Sequence, residues 1–327
     1  MSRDRVYELL AGEPERFRSG EEISRALGIS RAAVWKAVDS LRREGYGIEA
    51  RTGLGYRLVA APDALTEREI RRYLTVPCPD LRCFQEIDST NSYLKREALA
   101  GAPHGTAVAD CQSAGRGRMA RSFQSPPGKG VYLSVLLRPQ LPPQALLGAT
   151  GMAAVAVARA VERVSGAQVG IKWTNDLVLG GKKLCGILTE MALEGETGAV
   201  QSLVIGAGVN VSHRREDFSP DVAEIAASLA MEGYEVSRPA LAAAMIEELS
   251  LLAGDLGGDP EPWLADYRCR CVTLGREVRL LWSGGQTRAT ALDIDDQFGL
   301  VVRREDGTEE TVRTGEVSVR GLYGYVE

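Results

Sequence analysis

The sequence is poor in the side chains that build metal centres and covalent cross-links. It holds only two histidines in 327 residues, and its six cysteines, at positions 78, 83, 111, 185, 269 and 271, follow no regular spacing. So few histidines argue against a zinc site, and irregular cysteines in a chain with no recognisable signal peptide indicate reduced thiols. We therefore expect a cytoplasmic protein without a metal centre of its own.

Apolar runs are short. The run at residues 145–158 contains Gly and Thr and stops at Arg159, so it is too short to span a bilayer and predicts a buried helix rather than a membrane contact.

The net charge of −5 hides an asymmetry, because residues 1–60 hold 11 Lys/Arg against 9 Asp/Glu and the remainder holds 28 against 35. Only the N-terminal segment is net basic. The length predicts two or three domains.

Residues 1–62 predict a winged helix-turn-helix domain. Apolar residues at helical spacing begin one helix near Val6, and Ser19 with Glu22 forms a capping box that begins a second helix. Residues 28–30 form the turn. Residues 48–58 alternate in polarity around a Thr-Gly turn, as a two-stranded wing does.

The third helix of this domain carries the predicted DNA contacts. Ser30 can cap it, and its apolar residues share one face, which leaves its N-terminal end exposed. In this motif that end enters the major groove. The candidate DNA-binding residues are Ser30, Arg31, Ala32, Trp35 and Lys36. Because the segment is only weakly basic, a helical interaction module that does not touch DNA remains the alternative.

Two further domains follow. Pro62 and Asp63 mark the end of a linker, and strand-like and helix-like stretches alternate from there to about residue 270, which predicts an α/β core. Alternating segments after Leu274 predict a small β domain. The domain boundaries we expect are therefore 1–62, 63–270 and 271–327.

The run Gly115-Arg116-Gly117-Arg118 predicts a loop that binds anions. Glycine lets the main chain close around a ligand, and arginine stays charged and offers forked donors to carboxylate and phosphate oxygens. Residues 115–120 also fit the dinucleotide pattern G-x-G-x-x-A, which needs a helix after it. Two prolines, Pro126 and Pro127, and a strand-like run follow instead. The Rossmann interpretation therefore fails on its context.

Three other polar clusters are weak signals when each is taken alone. Residues 88–91 (Asp-Ser-Thr-Asn) precede a helix and suit an ordinary N-cap. Residues 172–176 (Lys-Trp-Thr-Asn-Asp) interrupt two apolar runs and suit a turn. Lys183 stands at the mouth of a short apolar strand, where a lysine is normally solvated.

Taken together, the order of these clusters and the residues within them are specific. With Gln112 and the Gly-Ala-Gly-Val-Asn-Val run at 206–211, they closely resemble the biotin protein ligases over nearly the whole chain. The resemblance implies an α+β multidomain protein of the bifunctional ligase/repressor type. It implies an N-terminal winged helix-turn-helix, a central α/β ligase domain resembling class II aminoacyl-tRNA synthetases, and a C-terminal SH3-like β-barrel.

The resemblance also implies a reaction and its partners. Biotin and ATP, with Mg²⁺ whose ligands stay unassigned, would give biotinyl-5′-AMP, and a lysine of a biotin carboxyl carrier protein would then take the biotin. Operator DNA and a ligand-promoted homodimer would serve repression. The catalytic residues would be Lys183, Arg116, Arg118 and Asp176, with Asp176 nearest the incoming amine. The binding residues would be Ser89, Thr90, Asn91, Gln112, Gly115, Arg116, Gly117, Arg118, Phe123, Lys172, Trp173, Asn175, Lys183, Gly186 and Asn210.

Four positions depart from the family pattern, and none of them changes a charge. Ala120 replaces a glycine, Phe123 a tryptophan, Thr174 a proline, and Cys185 a small residue such as alanine. Phe123 keeps an aromatic face but lacks the indole N–H. Ala120 would stiffen the loop if its φ were positive.

Two rival functions stay open at this point. One is a catalytically inactive biotin sensor that regulates transcription, which the joint presence of Lys183, Arg116 and Arg118 argues against. The other is a lipoate or octanoate ligase or transferase of the same fold. A polar, acidic segment at residues 212–222 either closes the nucleotide side of the site or is an ordinary solvated connection.

Overall fold

The computed structural model of the chain describes residues 2–282, 285–313 and 316–319. The chain divides into two units, Met1–Asp63 and Ala64–Glu327. Each unit has a large hydrophobic core of its own.

Three helices and a two-stranded hairpin form the first unit. They are α1 (Ser2–Ala11), α2 (Gly20–Leu27), α3 (Arg31–Arg43), β1 (Gly47–Arg51) and β2 (Gly55–Ala60). Ser19 Oγ accepts the Glu22 N–H and Ser30 Oγ accepts the Ala33 N–H, so a serine caps each helix of the turn. Gly28, with φ of 65°, ends α2 in the left-handed conformation that favours glycine. The predicted helix-turn-helix with its wing is confirmed.

The predicted capping box at α2 is formed differently. The Glu22 carboxylate pairs with Arg16 at 2.9 Å and with Arg18 at 2.8 Å. The observed N-cap of α2 is therefore formed by the Ser19 hydroxyl. The Glu22 carboxylate instead forms ion pairs with the segment before α2.

A seven-stranded sheet lies at the centre of the second unit. Its strands are β3 (Leu81–Phe84), β4 (Gly105–Ala109), β5 (Gly130–Leu137), β6 (Gly170–Lys172), β7 (Asp176–Leu179), β8 (Lys182–Leu193) and β9 (Val200–Asn210). Their order across the sheet is β3-β4-β5-β9-β8-β7-β6. β3 and β4 run parallel, and the other neighbours pair antiparallel. This topology agrees with the exclusion of a Rossmann sheet, which is mostly parallel.

β8 is longer than the short strand expected after Lys183. It runs for 12 residues because β9 pairs with it from Cys185 to Leu193. A long antiparallel partner supplies hydrogen bonds to residues whose own polarity does not mark them as a strand.

Six helices accompany this sheet. They are α4 (Glu67–Arg71), α5 (Thr90–Leu99), α6 (Ala149–Ser165), α7 (Pro220–Ala223), α8 (Arg238–Asp255) and α9 (Glu261–Arg270). α6 packs against α8 and α9. Pro143–Ser165 is long and apolar enough to cross a membrane by length and composition, but 67% of its most apolar window is buried inside the protein. The predicted buried helix is confirmed, although it begins at Ala149 rather than at residue 145.

The C-terminal part forms a five-stranded sheet. Its strands are β10 (Glu277–Trp282), β11 (Gly285–Ile294), β12 (Leu300–Arg304), β13 (Glu309–Val312) and β14 (Glu316–Val319), in the order β13-β12-β11-β10-β14. Every neighbouring pair is antiparallel. Its inner residues, such as Ile294 and Leu300, join the same hydrophobic core as the central sheet. The predicted β domain is confirmed, and residues 320–327 of its expected range lie outside the described residues.

Candidate functional site

The arginine loop, residues 112–128, connects β4 to β5 and folds back on itself. The Phe123 N–H donates to Gly115 O at 2.9 Å, and the Gly117 N–H donates to Arg121 O at 2.8 Å. These two backbone bonds hold the arginines of the loop on a defined path.

The tip of the arginine loop is a single 3₁₀ turn, Arg118–Ala120. Met119 has a positive φ of 54°, which is uncommon outside glycine. The expectation about loop stiffness concerned Ala120, whose side chain lies outside the described residues. The left-handed residue that the structure shows is its neighbour Met119.

A chain of polar side chains lies at the base of the arginine loop. The N–H and the hydroxyl of Thr90 donate to Gln112 Oε1 at 2.9 and 3.2 Å. The Ser134 hydroxyl lies 2.7 Å from Thr90 Oγ1 and 2.6 Å from Asn91 Oδ1, and Gln112 Nε2 donates to Ser125 Oγ at 2.9 Å. Such a fixed set of donors and acceptors suits a small polar group on a ligand.

Ser89 belongs to the same network through the helix it caps. Its Oγ accepts the Ser92 N–H at 3.4 Å at the start of α5, so the default N-cap interpretation is correct for this residue. Ser89, Thr90 and Asn91 are all buried. The cap therefore also presents buried polar groups next to Gln112. Ser134 was missed by sequence reasoning, although a serine inside the apolar strand β5 is a usable signal.

Glu190 connects this network to the arginine loop. Its carboxylate accepts from Asn91 Nδ2 at 3.0 Å and pairs with Lys95 Nζ at 2.7 Å, and Arg116 Nη2 lies 3.6 Å away. Burial disfavours the ionised form, but the hydrogen bonds from Lys95 and Asn91 outweigh it and hold the pKa of Glu190 below its ordinary value. Sequence reasoning did not single out Glu190, because a glutamate inside a strand carries no local signal of its partners.

A cavity of 520 Å³ opens beside the arginine loop. The predicted site residues in its wall are Arg116, Gly117, Arg118, Phe123, Lys172, Trp173, Asn175, Asp176, Lys183, Gly186 and Asn210. The structure therefore brings together side chains that are up to 94 residues apart, between Arg116 and Asn210. Five predicted binding residues lie in the polar network rather than in the cavity wall: Ser89, Thr90, Asn91, Gln112 and Gly115.

As many lining residues were not predicted. They are Met119, Arg121, Ser122, Gln124, Ile187, Leu188, Phe218, Asp221, Val222, Ile225 and Ala226. Arg121 could have been found as a third arginine in the same loop. Phe218, Asp221 and Val222 lie in the segment at residues 212–222 whose closing role was left open, and Ile225 and Ala226 follow it. Only the tertiary structure places these residues at the cavity.

Phe123 covers one side of the cavity. A Cβ added at Gly208 would lie 2.5 Å from the Phe123 ring, so β9 can carry only glycine where the ring approaches it. Tyr132 meets the same ring edge to face, with centroids 6.4 Å apart. The ring is therefore held in place and offers an aromatic surface to a ligand, as expected for the position.

Lys183 projects into the cavity wall as half of an ion pair. Its Nζ lies 2.8 Å from Asp176 Oδ1 across the β7/β8 hairpin. Its backbone is also fixed, because its N–H donates to Ile225 O at 2.7 Å and its carbonyl accepts the Ala227 N–H at 2.8 Å. The default interpretation of a solvated strand end is wrong. Asp176, which the resemblance placed near an incoming amine, pairs with Lys183.

The Lys-Trp-Thr-Asn-Asp turn between β6 and β7 is anchored from two directions. Arg118 Nη1 donates to Asn175 Oδ1 at 2.8 Å, which links the turn to the arginine loop. The Trp173 N–H donates to Thr273 Oγ1 at 3.0 Å and its indole N–H donates to Phe298 O at 2.9 Å. Thr273 and Phe298 belong to the C-terminal part, so that part helps to shape the cavity. The peptide bond between Trp173 and Thr174 is cis.

Residues 211–229, here called the covering segment, line the opposite side of the cavity. The His213 ring is buried and stacks on Phe218 with centroids 4.9 Å apart. Burial lowers the pKa of His213 to about 4, so this histidine is neutral near pH 7. Asn210, just before the segment, donates to Ala227 O at 2.9 Å, while its Oδ1 is buried without a hydrogen-bond partner in the described part of the chain. That oxygen is available to a ligand donor.

A second candidate site lies on α3 of the first unit. Arg31, Ala32, Trp35 and Lys36 are exposed, and Trp35 exposes 58% of its surface, which is unusual for a tryptophan that has no external partner. Ser30 serves as the N-cap and accepts the Ala33 N–H at 3.2 Å. These residues form one accessible helix end, as the DNA-binding interpretation requires.

The described parts of the chain form neither a metal-binding cluster nor a disulfide bond. No group of three or more His, Cys, Asp or Glu side chains is placed to hold a metal ion there. All six cysteines are free thiols. Burial raises the pKa of Cys185, which lies under the cavity wall, well above the thiol range, so it packs as a small apolar residue.

Three family models match the chain in succession. A helix-turn-helix domain matches residues 3–57, the biotin/lipoate A/B protein ligase family matches residues 83–210, and the biotin protein ligase C-terminal domain matches residues 273–320. The central match contains the arginine loop and the Lys183 ion pair.

Relatives and solved structures agree with these matches. The bifunctional ligase/repressor BirA of Bacillus subtilis strain 168 is 38% identical over 314 residues, which cover 93% of this chain and 95% of that protein. The protein of the same name from Escherichia coli K12 is 34% identical over 93% of both chains. The biotin protein ligase from Aquifex aeolicus in complex with biotin and ATP is 26% identical, with a TM-score of 0.62 over 74% of this chain and 99% of its own.

Proposed function

Because the chain belongs to the biotin protein ligases of the bifunctional ligase/repressor type, we infer from its geometry how the cavity works. The chain is a biotin ligase with a helix-turn-helix repressor domain. The observation that carries the mechanism is that Arg116, Arg118 and Lys183 line one cavity beside a buried polar network.

We propose that the three cations serve the first chemical step. The carboxylate oxygen of biotin attacks the α-phosphate of ATP, the bond to the β-phosphate oxygen breaks, and pyrophosphate leaves. Both reactants are anions, so positive charge must converge where they meet. Arg116, Arg118 and Lys183 supply it. We propose that ATP brings Mg²⁺ with it as part of the substrate.

The second step uses the same cations differently. The ε-amine of a carrier lysine attacks the mixed anhydride, an amide forms, and AMP leaves. Lys183 must not react in its place. Its ammonium group lies 2.8 Å from the Asp176 carboxylate, and an ammonium nitrogen has no lone pair with which to attack the anhydride. We therefore propose that the main role of Asp176 is to orient Lys183, and that contact with the incoming amine is its secondary role.

We propose that the two ends of the ligand lie in two different parts of the site. The network of Ser89, Thr90, Asn91 and Gln112, with the backbone at Gly115 and Arg116, would hold the uncharged ureido ring. The cavity wall would hold the adenylate, through Gly117, Phe123, Lys172, Trp173, Asn175, Gly186 and Asn210. The buried, unpaired Asn210 Oδ1 is then satisfied by a ligand donor, since leaving it unpaired has a cost.

Several finer assignments belong to the same proposal. The mostly antiparallel seven-stranded sheet supports a fold like that of the class II aminoacyl-tRNA synthetases, and the five antiparallel C-terminal strands support an SH3-like barrel. The partners we propose are a biotin carboxyl carrier protein, operator DNA and a second copy of the chain. Six free cysteines suit a cytoplasmic protein.

A ligand screen tests the proposed substrate. Isothermal titration with biotin, lipoate and octanoate, each with and without ATP, should show binding to biotin and pyrophosphate release with biotin alone. Preference for lipoate or octanoate would show that the protein is a lipoate or octanoate ligase or transferase and not a biotin ligase. Biotin binding without pyrophosphate release would identify a sensor that has lost catalysis.

A further inference from the structure

The arginine loop and the covering segment meet each other across the cavity rim. Both line the same cavity, the loop through residues such as Phe123 and Gln124, and the segment through Phe218, Asp221 and Val222. The loop and the segment therefore each form part of the wall around anything that the cavity holds.

A reciprocal pair of hydrogen bonds joins the two pieces. Gln124 Nε2 donates to Ser219 Oγ at 2.7 Å, and the Ser219 N–H donates to Gln124 Oε1 at 3.1 Å. Both side chains are half-buried. A single primary amide thus satisfies both the hydroxyl and the free N–H of the residue that caps α7.

A second set of contacts lies behind this pair, further from the cavity. Lys129 Nζ pairs with Asp217 at 2.9 Å. Tyr132 contacts the Phe123 ring on one side, and its hydroxyl lies 3.5 Å from His213 Nε2 on the other. These contacts fix Asp217 of the covering segment to Lys129, just before β5, and place His213 beside Tyr132 in β5. They do not close the rim, where Gln124 and Ser219 form the bridge.

The pair lies close to the reacting groups along the chain. From Ser219 the chain enters α7, where Asp221 and Val222 line the cavity, and then reaches Ile225. Ile225 O accepts the Lys183 N–H. Because this bond belongs to the backbone, it does not depend on the side chain at position 124. Opening the rim should therefore release what the cavity holds before it disturbs Lys183.

We propose that Gln124 and Ser219 are positioning residues that form a latch across the rim and retain the acyl-adenylate between the two chemical steps. The inference rests on the proposed function, which makes that intermediate in this cavity. A mixed anhydride that leaves the site reacts with water or with any amine, so retention protects the second step from side reactions.

The first experiment uses the protein alone. Amide hydrogen exchange at Ser219 should be about tenfold faster in Gln124→Ala than in wild type, because the acceptor of that N–H is gone and two modest hydrogen bonds are lost. Gln144→Ala, at an exposed glutamine outside the cavity wall, is the matched control and should leave the rate unchanged. An unchanged rate in Gln124→Ala would show that the latch does not form.

The second experiment measures release of biotinyl-5′-AMP in a single turnover without carrier. Gln124→Ala should release it about tenfold faster while forming it within about twofold of the wild-type rate, and Ser219→Ala, which loses one of the two bonds, should release it about threefold faster. The double variant should match Gln124→Ala, since both changes break one latch. Release within twofold of wild type in Gln124→Ala, or multiplied effects in the double variant, would overturn the latch.

Failure of the proposed function gives a different pattern. A wild-type protein that forms no adenylate from biotin and ATP would refute the ligase mechanism, and the exchange measurement would still report on the contact between Gln124 and Ser219. Normal adenylate formation with no difference in its release would refute the latch alone.

Discussion

The positive charge in the cavity comes from individual side chains that contacts with other residues hold in place. Lys183 is fixed by its backbone bonds to Ile225 and Ala227 and by the carboxylate of Asp176. Arg118 is fixed by Asn175. Donors that already point to where charge develops do not have to reorganise during the reaction, which is the main source of electrostatic catalysis.

Replacing Lys183 by glutamine should therefore lower the adenylation rate. The loss should be on the order of 10² to 10³ in rate, the usual effect of removing one such donor. Pyrophosphate release under saturating biotin and ATP measures it, and Lys182→Gln, at the neighbouring lysine outside the cavity wall, is the control. Wild-type rates in Lys183→Gln would remove this residue from the mechanism.

His213 makes stability depend on pH. Burial lowers its pKa in the folded protein to about 4, from an ordinary value of 6.5. Below pH 6.5 the unfolded chain binds a proton that the folded chain does not, so stability falls as the pH falls from 6.5 towards 4. Between pH 7 and pH 5 the loss should be about 2 kcal/mol.

Urea unfolding at the two pH values tests this pH dependence. His213→Phe keeps an aromatic ring against Phe218 and should lose that part of the dependence. His104→Gln changes an exposed histidine paired with Asp80 and should retain it. Equal pH dependence in wild type and His213→Phe would show that another group is responsible.

Contacts between elements connect the C-terminal sheet to the catalytic turn. Phe298 lies between β11 and β12 and is 3% exposed, and its ring meets Tyr267 of α9 edge to face at 5.3 Å. A Cβ added at Gly151 of α6 would lie 2.2 Å from the same ring, so α6 has a notch that the ring fills. The Phe298 carbonyl in turn accepts the indole N–H of Trp173.

Phe298→Ala should destabilise the protein by about 3 to 5 kcal/mol, because it empties that notch. It should also raise the KM for ATP more than it lowers kcat, since the Phe298 carbonyl that accepts the Trp173 indole N–H would lose its fixed position while Lys183 keeps its own contacts. Denaturant unfolding and ATP-dependent kinetics measure the two effects. Leu99→Ala, at a leucine that is 78% exposed, should change neither.

At the scale of the whole molecule, the first unit ends at Asp63, and the cavity is built entirely from residues beyond it. Catalysis and DNA binding should therefore be separable. The wing and α3 need only their own core, and the described cavity needs none of their side chains.

A protein that begins at Asp63 should keep biotinylation and lose DNA binding. Carrier labelling and a gel-shift assay measure the two activities in the same preparation. A folded truncated protein without catalysis would show that the two units depend on each other.

We propose that repression depends on a coupling between ligand binding and dimer formation. Winged-helix repressors usually bind two half-sites as dimers, and residues 1–60 contain no heptad seam, so we expect the dimer contact in the second unit. Ordering of the arginine loop by biotinyl-5′-AMP would remove an entropic cost of association, a coupling typically worth about 1 to 3 kcal/mol.

Sedimentation with and without biotinyl-5′-AMP should therefore show about a 5- to 150-fold tighter dimer with ligand. Carrier protein should compete with dimer formation, because its lysine must reach the same site. A dimerisation constant that ignores the ligand would leave a ligase whose DNA-binding domain is not regulated in this way.

The sequence by itself determined the features that depend on neighbours along the chain. The serine caps of α2 and α3 and the arginine loop follow from residues within four positions of one another, which is the range of capping and turn rules. The motif order was enough to indicate the family and half of the residues in the cavity wall.

Only the tertiary structure decided which of these residues touch. Packing of α5 on the central sheet brings Glu190 to Asn91 over 99 positions, and Phe298 reaches Trp173 over 125. The tertiary structure also places the Asp176 carboxylate beside Lys183 and Phe218 in the cavity wall. Such pairs depend on sheet register and packing over long separations, and no local pattern of polarity or spacing encodes them.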